Sequence, residues 1–295
     1  MTNENENQKF DKKPLTIFLI VAFLPAWLLF VLPLFFLQAQ TQASRFIFQG
    51  SWSLAMWMPG LGAILANKFG EGKKFSELRL NRLGKIGIYF WAWLAPIALT
   101  AAAGFLTWLF GWGRVGSLGN LFDGDLIRAG EIPFITSPLM LVGIFASTMT
   151  LAPLFNTIFA LGEELGWRGY LLPKLLPLGQ GPAMIISGMI WGIWHAPVIL
   201  MGHNYPGYPG IGVVLMTVFT ILMGIFLSWL YLKTKSPWAP ALSHGTLNAI
   251  ASLPLIFLHD VDIVLGGALT SVAGWIALGV LILVMVGAGE IPVKA

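Results

Sequence analysis

An all-α, polytopic membrane helix bundle of about eight transmembrane helices is the fold class that three observations predict. Hydrophobic residues fill 57% of the 295 positions and charged residues only 10%, against roughly 45–50% and 25% in soluble domains. Several apolar runs approach the roughly 20 residues that cross a bilayer as a helix. The 34 Gly, 18 Pro and 13 Trp suit helices that pack closely, tolerate Pro and anchor at interfaces. A soluble core of this length could not hide so much apolar surface.

In chain order, residues 1–13 form an Asn- and Glu-rich cytoplasmic tail, and apolar spans follow at 14–38, 48–68, 86–110, 137–161, 181–202, 211–232, 237–258 and 264–288. The first run is too long for a signal-peptide core and no small-residue cleavage site follows it, so it is read as a retained span. Pro197 and Pro254 are expected to kink the fifth and seventh. The chain then divides into three N-terminal helices with their loops at 14–136, a core of helices four to seven at 137–258, and a last helix in 259–295.

The formal charge of +4 is topological. With both termini in the cytoplasm, 14 of the 17 basic residues fall on that side, and Arg45, Arg114 and Arg128 fall outside. Scattered over five segments, these residues make no nucleic-acid surface, and nucleic-acid partners are excluded; the partners expected are the bilayer and a peptide or membrane-protein substrate. The loop from Lys68 to Lys85 is the most basic. It reads as an ordinary positive-inside loop, with contact to anionic lipid as the lesser alternative. The outer segment 111–136, with Asp123, Asp125 and Glu131, lacks the spacing of a calcium loop, and Asp260 and Asp262 beside His259 read as solvated acids in an outer turn.

The chain has no cysteine, which removes thiol nucleophiles, disulfides and Cys-ligated metals. Chemistry must come from Glu, Asp, His, Ser or Asn. Two carboxylates, Glu163 and Glu164, end the fourth span, where each costs a few kcal/mol and such residues mark functional interiors. On a helix, Glu164 and Arg168 at i and i+4 share a face, whereas Glu163 points about 100° away. Glu164 is therefore expected to pair with Arg168, leaving Glu163 free for chemistry; an interfacial ion pair with both acids partly hydrated is the structural alternative. His195 lies inside the fifth span, where alone it could merely bond two helices. His244 and Asn248, four apart, project from one stripe of the seventh.

Together these groups hold the parts for amide hydrolysis. A Glu aided by a His, or by a metal held by His and Glu, makes water nucleophilic, and fixed donors stabilise the tetrahedral oxyanion. Glu163 and His195 suit the first task, His244 and Asn248 the second. Ser187 and Ser243 read as helix-packing residues, and His203, in a Gly- and Pro-rich turn, as solvated.

The three segments Glu163-Glu164-Leu-Gly-Trp-Arg168, Trp191-Gly-Ile-Trp-His195 and His244-Gly-Thr-Leu-Asn248 resemble, in order, the motifs of the CPBP (CAAX protease and bacteriocin-processing, or Abi) family of intramembrane proteases. The resemblance covers roughly residues 150–255. It implies an endopeptidase in which Glu163 and His195 activate water, His244 and Asn248 form the oxyanion site, and Glu164 with Arg168 hold the architecture. Trp191 stands where Phe is common, a departure expected to alter packing more than chemistry. The resemblance leaves open whether a divalent metal such as Zn, held by Glu163, His195 and His244, or no metal takes part. A non-enzymatic immunity or regulatory scaffold of the same fold is the main competing reading, and a proton- or metal-coupled transporter a third.

Overall fold

The computed structural model describes residues 12–35, 42–116 and 138–291. Asp123, Asp125, Arg128 and Glu131 lie outside them, as does most of the N-terminal tail. The described chain is an all-α bundle of α1 (Lys12–Val31), α2 (Gln42–Ala55), α3 (Met58–Leu65), α4 (Gly87–Leu109), α5 (Pro138–Met149), α6 (Leu151–Gly166), α7 (Leu172–Leu175), α8 (Gln180–Trp194), α9 (Ala196–Leu200), α10 (Pro209–Thr234), α11 (Trp238–Ile250) and α12 (Val272–Gly287). One small antiparallel ribbon pairs β1 (Arg114–Val115) with β2 (Leu258–His259).

Among the described residues, four stretches are long and apolar enough to cross a membrane: Lys12–Phe35, Gly87–Leu109, Val142–Leu178 and Pro209–Thr234. With the shorter apolar helices beside them, the chain is an integral membrane protein, the all-α polytopic helix bundle that the apolar runs predict. The expected spans 86–110 and 211–232 match α4 and α10 closely. The span expected at 48–68 divides into α2 and α3, the one at 237–258 stops at Ile250, and the one at 264–288 starts only at Val272. The run at 137–161 breaks at Thr150, between α5 and α6. Pro153 has no N–H for the carbonyl of Met149, and the indole of Trp93 on α4 donates to that carbonyl at 2.7 Å instead. Freed backbone groups are tolerated in an apolar medium when a neighbour satisfies them in this way.

Close helix packing follows small residues. A Cβ at Gly162 or Gly166 on α6 would meet Trp57 or Pro59 backbone on the α3 side at 2.7 Å or less, and one at Gly188 or Gly192 on α8 would meet Ile221 or Thr217 of α10 at 2.6 Å. Both pairs are spaced four apart, which lets helices approach along one stripe. Gly245 on α11 makes the same kind of contact with Thr157 on α6. Two reciprocal indole bonds then tie α1 to α8: Trp27 donates to the Trp194 carbonyl at 3.0 Å and Trp194 to the Ala22 carbonyl at 2.9 Å.

At one end of the bundle the loop after α3 is latched to the rest. Ser236 Oγ donates to the Arg82 carbonyl at 2.6 Å and the Trp238 indole to the Leu80 carbonyl at 2.9 Å. Gly84, at φ +72, lies so close to the Thr234 carbonyl that no side chain fits. Glu71 gathers Tyr170 Oη, Lys174 Nζ and Lys73 Nζ, each at 2.7 Å. Basic residues from the loop, α7 and the α10–α11 turn therefore share this end. Burial pushes the Glu71 carboxyl up, but hydrogen bonds from Lys174, Lys73 and Tyr170 outweigh it and hold the group below its ordinary value. A depressed native value means that the stabilisation is fully present above the unfolded-state value and lost as pH falls through the native one. Glu71→Gln is accordingly expected to unfold at a lower temperature than the wild type near neutral pH, with the gap closing as pH falls through the lowered native value. Thermal unfolding of both proteins across that range checks this, and a gap that persists at acid pH would contradict it.

At the opposite end, Asp262 Oδ1 accepts from the backbone N–H groups of Val264 and Leu265, and Arg114 pairs across the β-ribbon with His259. Asp262 thereby shapes a turn. His203 is exposed, with its ring edge-on to Trp52 at 5.1 Å.

Candidate active site

The fourth apolar run carries Glu163 and Glu164 to the last turn of α6, where a π-turn, Trp167–Leu171, follows. The wider turn inserts a residue into the helical ladder, a distortion frequent at functional sites. All of Glu163, Glu164 and Arg168 are buried there. The i,i+4 pairing expected from sequence is present: Arg168 Nη1 donates to Glu164 Oε1 at 2.8 Å, and both side chains are 0% exposed. The same oxygen receives His244 Nδ1 of α11 at 2.9 Å. Gly224 on α10 leaves room for the guanidinium, since a Cβ there would lie 3.2 Å from Arg168 Nη2.

Trp191 of α8 links the cluster. Its indole N–H donates to Glu163 Oε2 at 2.7 Å, its ring lies under the Arg168 guanidinium at 4.4 Å, and it meets the His244 ring edge-on at 5.2 Å. Beside its packing, Trp191 thus adds a hydrogen bond to Glu163. A phenyl ring has no N–H and could not make this bond. The sequence signal for it was the aromatic itself, four residues before His195; its partner was not readable.

His195 caps α8, and its Nδ1 lies 2.9 Å from the Trp191 carbonyl. A carbonyl only accepts, so Nδ1 carries the proton and the neutral ring keeps its lone pair on Nε2. The helix breaks at His195 because Pro197, two residues on, cannot continue the ladder. Trp194 packs edge-on to the imidazole at 4.9 Å, and Trp167 lies behind Trp194.

Six of the seven expected residues, Glu163, Glu164, Arg168, Trp191, His195 and His244, are thus connected through direct contacts. Asn248 is on α11 one turn beyond His244, as expected, but its side chain is exposed and no described contact joins it to the other six. Ser187 and Ser243 are buried in the bundle. Among the described residues no three His, Asp or Glu side chains come close enough to hold a metal ion. Glu163, His195 and His244 in this arrangement do not make such a set.

Fold and cluster define a membrane helix bundle with a buried cluster of carboxylate, guanidinium, imidazole and indole groups. Residues 138–250 match the family Type II CAAX prenyl endopeptidase Rce1-like. CAAX prenyl protease 2 of Methanococcus maripaludis is 34% identical over 122 residues, which are 39% of this chain and 45% of that protein. The alignment therefore spans less than half the length of the curated relative. Through this core the chain is similar to the CAAX proteases, the group whose motifs its three segments resemble.

Proposed function

We propose that this protein is an intramembrane endopeptidase of the CAAX type, in which the water-activating carboxylate is Glu163. The observation that carries the reading is the separation of two adjacent carboxylates into different surroundings. Glu164 is committed to Arg168 and His244, while Glu163 receives the Trp191 N–H on one oxygen. Its other oxygen can then accept a proton from water.

His195 assists from Nε2, the nitrogen its Trp191 bond leaves unprotonated. Attack of water on the scissile carbonyl leaves a proton on Glu163 or His195 and a negative charge on the former carbonyl oxygen. His244 answers that charge. Two carboxylates and Arg168 leave the buried cluster one negative charge in excess, and an imidazolium at His244 balances it in a medium where unpaired charge is costly. With Nδ1 bonded to Glu164, Nε2–H is the donor toward the oxyanion, and Asn248 supplies a second. Collapse of the intermediate breaks the C–N bond, and the proton taken from water passes to the leaving amine. Asn248→Ala is expected to lower the turnover number about 10²–10³-fold, the cost of one oxyanion donor. Steady-state cleavage measures it, and turnover near the wild-type value would leave His244 as the sole donor.

The apolar cavity of about 410 Å³ lined by Thr100, Ala101, Gly104, Phe145, Ile250 and Phe257, among others, lies at the α4–α11 face, and its volume is in the range of small-molecule sites. Ile250 is six residues past His244, about 9 Å along the helix axis. We assign this cavity to the isoprenyl group of a carboxyl-terminal peptide substrate. The test is cleavage by the full chain in proteoliposomes of a prenylated peptide and of the same peptide without its prenyl group. Wild type should prefer the prenylated form, and Ala101→Trp, which fills the cavity, should raise KM for it with little change in kcat. Cleavage of neither peptide, by protein that is folded and inserted, would favour the scaffold reading. Equal cleavage of both would remove the prenyl assignment alone.

The basic end of the bundle, which also carries the start of α1, is the cytoplasmic face in this reading. That orientation follows from the same lysines.

A further inference from the structure

A second pocket lies away from the acid–base cluster, at the basic end of the bundle. It is a cavity of about 310 Å³ lined by Ile64, Asn67, Lys68, Lys73, Lys74 and Phe75. The backbone around it is fixed. Residues Ala66–Gly70 form a π-turn, the Lys73 N–H donates to the Asn67 carbonyl at 2.9 Å, and Asn67 Nδ2 donates to the Lys74 carbonyl at 2.9 Å. Gly70 packs directly on Pro14, which brings the start of α1, with Lys12 and Lys13, beside the same turn.

We infer that this pocket binds the phosphate headgroup of an anionic phospholipid from the surrounding bilayer. Charge is the first argument. Residues 68–85 hold six basic and two acidic side chains. Glu71 is already held by Lys73 and Lys174, and neither Lys68 nor Lys74 has a carboxylate within ion-pair distance among the described residues. Like charges around one cavity repel unless an anion enters it. Location is the second. The pocket sits where the apolar stretch Lys12–Phe35 begins, at the level where headgroups lie. Phe69 and Phe75, 62% and 54% exposed, flank the lysines, so acyl chain and headgroup can be met together. A soluble phosphate would use the lysines and gain nothing from the two phenyl rings, which favours the lipid.

The experiment is native mass spectrometry of the full chain in detergent, titrated with dioctanoyl phosphatidylglycerol and with dioctanoyl phosphatidylcholine. Wild type should retain the anionic lipid in preference to the zwitterionic one, and Lys68→Gln with Lys74→Gln should weaken that retention about tenfold or more, at roughly 1 kcal/mol per lysine. Lys235→Gln, which removes one exposed charge elsewhere, should leave it unchanged. Equal retention by wild type and the double variant overturns the site. Equal weakening by Lys235→Gln overturns it too, in favour of diffuse attraction. Competition by inorganic phosphate as effective as that by the lipid assigns the pocket to a soluble anion and overturns the lipid. If the double variant does not fold, Lys68→Gln alone carries the same comparison.

Discussion

Glu163→Gln is expected to lower cleavage about 10²–10⁴-fold, the range for a positioned general base, with helix content and membrane insertion unchanged. The substitution keeps size and shape, and a Gln carbonyl oxygen can still accept the Trp191 indole N–H that Glu163 Oε2 accepts at 2.7 Å. What it removes is the ability to take a proton from water. Glu164→Gln makes a useful contrast, because that carboxylate is spent on Arg168 and His244 and its loss should register in stability as well as rate. Single-turnover cleavage by detergent-solubilised protein, with circular dichroism on the same samples, separates the two effects. Activity of Glu163→Gln within about threefold of wild type would exclude Glu163 as the base, since general-base loss costs far more, and would shift that role to His195.

The second large effect concerns Arg168. Arg168→Ala leaves Glu164, which is 0% exposed, without its cation and strips the guanidinium from the Trp191 ring. Removing one partner of a buried pair typically costs about 3–5 kcal/mol, because the remaining charge stays uncompensated. Arg168 Nε and Nη2 and Glu164 Oε2 have no partner in the described structure, so the pair is not saturated with hydrogen bonds. Replacing both members with neutral residues should therefore be tolerated better than replacing one. Arg168→Met together with Glu164→Gln should recover much of the unfolding temperature lost in Arg168→Ala, and Gln keeps an acceptor for His244. Thermal unfolding in detergent decides it. An Arg168→Ala protein as stable and as abundant as wild type would overturn the division of labour between the two acids.

Much of the candidate site was legible before any coordinates. Glu164 and Arg168 had to share a helix face because four residues advance the helix by little more than one turn, and the pair is present. The same geometry set Glu163 apart from that pair, and its Oε2 accepts from Trp191 instead. The role of Trp191 was not legible, because hydrophobic pattern reads an indole as packing area and is silent about where its single N–H points. Asn248 shows the limit of the same rule: sharing a stripe with His244 put it on the right helix but did not determine its exposure.

Helix boundaries divided in a similar way. α4 and α10, continuous apolar runs with one neighbour pattern throughout, ended within two residues of expectation. The breaks at Thr150 and at His195 depended on which partner could satisfy a carbonyl that proline leaves free. Hydropathy carries no information about that. Trp93, 56 residues from Met149 in the chain, supplied one answer.

The amino-acid order by itself determined that this protein lives in lipid, that its basic residues gather at one face, and that a Glu-Glu-x-x-x-Arg turn would carry a buried pair. These follow from solvent preference and the helical repeat, which act over one to a few turns. Only the tertiary structure decided that α6, α8 and α11 meet around Trp191, that Gly245 lets α11 approach α6 while Gly162 seats α6 on the α3 side and Gly188 seats α8 on α10, and that Lys68, Lys73 and Lys74 surround a cavity. Such contacts join residues tens of positions apart, and they depend on which small and large side chains face each other across helices, which no periodicity along one chain encodes.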